Sequence, residues 1–174
     1  MANYAVVRTD KLMGTDVRSM LVSIEFLGAD GETPTAIENG NVLKRGALKG
    51  DATVGYEREI YVGATPAADD ALDDIVLVAS PELIYGVYTH DLRNFINEPG
   101  RPCRGYHLHH GDIFSVTKEA LDGAATPAIG DAVELKAGTK LNVATSATSG
   151  STQVGKIIAI DIVGGLTFYV IEVA

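Results

Sequence analysis

Cys103, His107, His109 and His110 are the side chains in this sequence best suited to metal or nucleophilic chemistry. Imidazole and thiolate are good zinc ligands, and along an extended strand His107 and His109 would share one face. The spacing Cys-x3-His-x-His-His matches no zinc signature, and no second ligand motif accompanies it, since His90 stands alone. The expectation is therefore that the histidines hydrogen-bond at a surface or subunit interface and hold no metal. Cys103, flanked by Arg101 and Arg104, could carry a lowered thiol pKa, but as a nucleophile it would still need a base. A small zinc- or thiol-dependent enzyme built on Cys103, His107, His109 and His110 is the alternative reading. Asp69, Asp70, Asp73 and Asp74 offer paired carboxylates, yet without burial nothing would separate their pKa values for acid–base work. Their spacing is not that of an EF-hand loop. A Gly-x-Ser-x-Gly elbow, a Walker loop and a dinucleotide glycine fingerprint are all missing.

The elements that would position these groups read as short strands. Met20 to Leu27, Tyr56 to Val62 and Ile75 to Ala79 carry strand patterns, the last apolar throughout as in a buried strand. Asp30-Gly31 and Asn39-Gly40 mark turns, with short strands expected on both sides of the second. Ala64 to Asp74 reads as an acidic surface loop. Thr89 to Asn97 has a capping residue ahead of Leu92, Phe95 and Ile96, which predicts one short helix over about residues 90–97. Tyr106 to Val116 predicts a strand with a bulge or turn at Gly111-Asp112, and Thr117 to Gly123 one helical turn stopped by glycine.

Towards the C-terminus, Gly130 to Gly138 and Lys140 to Val143 suggest two more strands, and Thr145 to Thr152 an exposed, mobile loop. Val154 to Val163 and Leu166 to Val173 are strongly β-branched and separated by Gly164-Gly165, the spacing of a tight hairpin. Both faces of the second strand are largely apolar, so it should be central or covered. Residues 1–19 show scattered apolar positions without sustained alternation. They are expected to form an extended N-terminal arm, with Tyr4, Val6, Val7 and Leu12 as interface residues on a neighbouring subunit; an ordinary edge strand of the same domain is the competing reading. Residues 20–174 then make a single β-rich domain. The predicted fold class is mainly β: a small β-barrel or β-sandwich with one or two short helices.

Composition narrows the function. At 174 residues the chain can bury roughly 70% of its unfolded surface. A net charge of -9 without a concentrated basic patch argues against nucleic-acid binding. The absence of Trp and the 6% aromatic content do not suit a sugar groove or a base-stacking platform. A single cysteine excludes an intrachain disulfide framework. No signal peptide is read at the start, and apolar runs fall far short of the ~20 residues that span a bilayer. No cofactor, nucleic acid or membrane partner is expected.

Four phrases are more specific. Asp74-Ile-Val-Leu-Val-Ala-Ser-Pro-Glu82, Asn94-Phe-Ile-Asn-Glu-Pro-Gly100, Arg104-Gly-Tyr-His-Leu-His-His-Gly-Asp-Ile-Phe-Ser-Val116 and the ending Val154 to Val173 resemble a family of small virion proteins of tailed bacteriophages, the head decoration or capsid-stabilising proteins. The resemblance runs over most of residues 1–174. It implies synthesis in a host bacterial cytoplasm and a place on the capsid exterior. It also implies a homo-oligomer, a trimer among the options, bound to the major capsid protein. It carries over no catalytic residue.

Overall fold

The computed structural model describes residues 4–8, 21–51, 55–82 and 92–174. They are mainly β, as the sequence predicts, with only single 3-10 turns as helix. Strands β1 (Leu21–Phe26), β2 (Val42–Asp51), β3 (Gly55–Ala64), β4 (Ile75–Val78) and β5 (Cys103–His107) form a barrel in the order β1-β3-β2-β4-β5. It closes because β5 also pairs with β1; the β1–β3 pair is the parallel one. Strands β6 (Ile113–Thr117), β7 (Leu121–Gly123), β8 (Ala132–Glu134), β9 (Leu141–Ala144), β10 (Gln153–Val163) and β11 (Leu166–Val173) form a second sheet, ordered β6-β11-β10-β8-β9-β7.

Two cores follow from the period-2 alternation of the strands. Ile24, Phe26, Leu43, Val76, Val78 and Cys103 fill the barrel. Residues of opposite parity (Val42, Ile75, Leu77 and Tyr106) leave the barrel wall and pack with Phe114, Val116, Ile157 and Ile171 of the sheet. A barrel this narrow has no room for a side chain at every inward position. A Cβ on Gly105 would lie 2.9 Å from Val76 Cγ2, and one on Gly63 would lie 2.9 Å from Leu43 Cδ1. Small residues opposite large ones are what fill such an interior.

The expected hairpin is present: Val163 pairs with Leu166 across Gly164-Gly165, whose φ values of 59° and 77° are those a two-residue turn requires. β11 lies between β6 and β10; Tyr169, Ile171 and Val173 on one face enter the main core, and Leu166 and Phe168 on the other pack with Val6, which accounts for its two apolar faces. At Asn39-Gly40 the chain turns, but the flanking pieces do not pair with each other. Ile37 bridges Asn97, while β2 pairs with β3 and β4. The Asn39 side chain does the joining, donating to Ser80 O at 2.8 Å and accepting from Ser80 N and Asn97 Nδ2 at 3.0 Å each.

Two expectations change. Among the described residues the short helix is a 3-10 turn over Leu92–Asn94, and Asn97, expected at its end, pairs with Ile37 instead; residues 90 and 91 lie outside the described residues. The arm, as far as residues 4–8, runs along β6 of the same chain in the manner of an edge strand. Val7 bridges Val116, Arg8 N donates to Ser115 O at 2.9 Å, and Thr117 N donates to Val6 O at 2.9 Å. Val6 and Val7 are 2% and 1% exposed. Burial of two valines and the available hydrogen bonds of β6 hold this segment on its own fold. Val6 and Val7 are therefore not free interface residues; Tyr4 is half-buried and Leu12 lies outside the described residues.

Residues 4–8 should thus contribute to the stability of the isolated chain. Val7→Ala removes two buried methyl groups and is expected to cost about 2 kcal/mol, read as a lower urea midpoint at unchanged slope. An unchanged midpoint would mean that this segment leaves β6 in solution.

Candidate functional site

The structure separates the cysteine from the histidines. Cys103 points into the barrel and donates its thiol to Ile24 O at 3.2 Å. Burial, with a smaller effect from the nearby Glu25, pushes its pKa up to about 12, so no thiolate is present near neutrality. His107 is the last residue of β5 and half-buried; burial first, and then the charge of Arg45, hold its pKa below the ordinary imidazole value. The shared strand face expected for His107 and His109 is lost because β5 ends at His107, where the chain leaves the barrel for the second sheet. His109 and His110 sit exposed in the connecting turn, where Asp112 Oδ2 accepts from His109 N at 2.9 Å. No group of three His, Cys, Asp or Glu side chains among the described residues is placed to hold a metal ion.

The remaining polar groups serve the fold. Asp70 of the acidic loop pairs with Lys44 and accepts from Ala67 N at 2.7 Å. Glu25, 2% exposed, meets Lys49 Nζ at 2.7 Å, so its buried charge is balanced. Glu134, 1% exposed, accepts from Thr148 N at 2.8 Å, Thr148 Oγ1 at 2.7 Å and Asn142 Nδ2 at 2.8 Å. It thereby ties the exposed loop of residues 145–152 to β8 and β9. Burial works to raise its pKa, but the bonds from Thr148 and Asn142 outweigh it and hold the carboxyl below its ordinary value of 4.5. An open cleft of about 440 Å³ lies beside Ser23, Ser80, Pro81 and Arg104. Ser80 Oγ there is already engaged by Arg104 N at 3.0 Å.

One corner of the second sheet differs. β10 is paired with β8 only over Gln153 to Lys156, and Gly130 N and Asp131 O close on Ile157. Beyond a bulge at Ile158 it continues with β11 as its sole partner among the described residues. β11 pairs with β6 only from Phe168 onward. The hairpin tip, residues 158–167, therefore overhangs the sheet. Among the described residues the exposed large hydrophobic side chains are Ile129 at 65%, Ile160 at 39%, Ile162 at 77% and Val163 at 45%. Three are on the overhang, and Ile129 adjoins Gly130 at its root. Apolar exposure gathered in one place marks a protein-docking surface more than scattered residues would.

The sequence shows Val154 to Val163 as a strand but not its exposure. The available signal is a mismatch in length, since β10 has 11 residues and its neighbour β8 has 3. Which part of the longer strand stays bare depends on where β8 pairs, and that is a tertiary choice.

Two measurements check these assignments. Thiol reagents at mildly alkaline pH should leave native Cys103 untouched and label it once urea unfolds the chain; labelling without unfolding would contradict a closed barrel. For Glu134, the folded pKa lies below the unfolded one, so its contribution to stability is complete above pH 4.5 and is lost as pH falls through the lowered folded value. Glu134→Gln should be less stable than wild type at pH 7, with the gap narrowing as pH drops below 4.5. A gap independent of pH would show that the carboxylate is not the charged acceptor for Thr148.

Set against protein-family models, curated proteins and solved structures, the chain matches none.

Proposed function

We propose that this chain is a non-enzymatic structural protein of a tailed-phage virion, which decorates and stabilises the capsid by binding the outer surface of the assembled major capsid lattice as a homo-oligomer. The observation that carries the reading is the overhanging β10–β11 hairpin, with Ile160, Ile162 and Val163 exposed beside a strand edge that is unpaired among the described residues. An edge of this kind takes a partner strand or a partner surface. The rest of the surface suits a component present in many copies, because a net charge of -9 keeps crowded copies apart until they are placed. The likeness of the four quoted phrases to tailed-phage decoration proteins supports the choice of partner.

The mechanism is mass action. A protein that binds the assembled lattice and not free subunits stabilises the lattice by RT ln(1 + [L]/Kd) per site, about 2.7 kcal/mol at a free concentration one hundred times Kd. Repeated over symmetric sites, a modest term for each copy becomes large for the shell.

The purified protein should co-sediment with assembled shells of the phage that encodes it and leave free capsid subunits unbound. Saturated shells should open at a higher temperature than bare ones. Equal binding to free subunits, or none to shells, would overturn the proposal.

A further inference from the structure

We infer that the free edge of β10, residues 158–163, pairs antiparallel across a two-fold axis with the same edge of a second copy of this chain. The inference rests on the proposed docking role only in that the two joined hairpins would present one enlarged apolar patch.

The two-residue turn decides which backbone groups are free. Val163 and Leu166 flank it as a hydrogen-bonded pair, so Val163, Asp161 and Ala159 direct their N–H and C=O groups to β11. The backbone groups of Ile160 and Ile162 face outward, where no described strand lies. Side chains alternate between faces, so Ile160 and Ile162 also share one face, and both are exposed.

Two registers preserve a two-fold axis near the centre of this edge. Centred on Asp161, Ile160 of each copy meets Ile162 of the other, and all four outward backbone groups find partners. Centred on Ile160, the outward groups of Ile162 face the bulge at Ile158, and half the bonds are lost. The first register sets Asp161 against its symmetry mate. Like charges directly opposite at an exposed site cost less than two additional hydrogen bonds contribute. The register centred on Asp161 wins. It also fits the available length: the second copy's Gly164 comes opposite Ile158, just before Gly130 closes on Ile157.

The area is small. Six residues a side bury much less than the roughly 1,200 Å² of a standard interface, so the pair is weak in dilute solution and is strengthened where a lattice holds copies side by side.

Cross-linking tests the geometry and sedimentation the affinity. In the register centred on Asp161, the two residues 161 form a non-hydrogen-bonded pair with Cα atoms about 4.5 Å apart, within disulfide reach, while the two residues 163 are far out of reach. With Cys103 buried, the introduced thiol is the reactive one. Oxidation should link Asp161→Cys into dimers and leave Val163→Cys monomeric; both positions are exposed, and thermal melts verify that the variants fold. In sedimentation equilibrium, Asp161→Asn should tighten the dimer about twofold to fivefold, and Ile160→Lys should weaken it about tenfold or more. Preferential linking of Val163→Cys, or a monomer at all concentrations with neither cysteine linked, overturns the inference. A monomer that still binds shells would overturn self-pairing alone, whereas a dimer that ignores shells would overturn the virion proposal alone.

Discussion

The fold depends on β4 being buried on both faces. Ile75, Val76, Leu77 and Val78 are all at 0% exposure, and their alternation divides them between two cores. Val76 and Val78 fill the barrel, while Ile75 and Leu77 carry its outer wall onto the second sheet. A polar residue at any of the four would strand an unpaired group in one core or the other. The barrel and the sheet are thereby one packed body, joined through a strand of four residues.

This strand is also where sequence and structure agree most closely. A run with no polar member can be satisfied only by burial on both sides, so Ile75 to Ala79 was legible without coordinates. Gly164-Gly165 was legible for a different reason, since two consecutive positive φ values admit few residues other than glycine. The Asn39-Gly40 turn was legible, but not its use. The side chain of Asn39 makes its strand-like pairing with Ser80, a contact across 41 positions that no local pattern encodes. Within the helix expected over residues 90–97, a 3-10 turn is present at Leu92–Asn94, but Asn97 pairs with Ile37. Local propensity is a weak preference, and a long-range pairing outweighs it.

The candidate site was less legible. Cys103 and the histidines are close in sequence because one strand and one turn contain them, and that same geometry drives them apart. Alternation sends Cys103 into the barrel, and the exit from the barrel leaves His109 and His110 in solvent. Nearness along an extended chain is not nearness of side chains. The apolar corner was hidden for the opposite reason. Ile160 and Ile162 have the composition of a core, and only the shortness of β8 exposes them.

Sheet edges show why this corner is exceptional. The barrel closes where β5 returns to β1; beyond Lys44 and before Ile60 the β2–β3 hairpin pairs only within itself among the described residues, and Arg45, Lys49 and Glu59 place charges along it. The outer edge of β6 is covered by residues 4–8, with Val7 and Arg8 taking up its backbone groups. At the far side β7 has only three residues, too short a template for a stable partner strand. Each of these is a known way of preventing unwanted strand pairing. On β10 beyond Ile157 no such device is present among the described residues: the strand is long, β-branched and free of proline, with Asp161 its single charge. Among the described residues this is therefore the edge where exposed large apolar side chains and free backbone groups coincide, and the proposed pairing falls there, with the net charge of -9 opposing indiscriminate contact elsewhere.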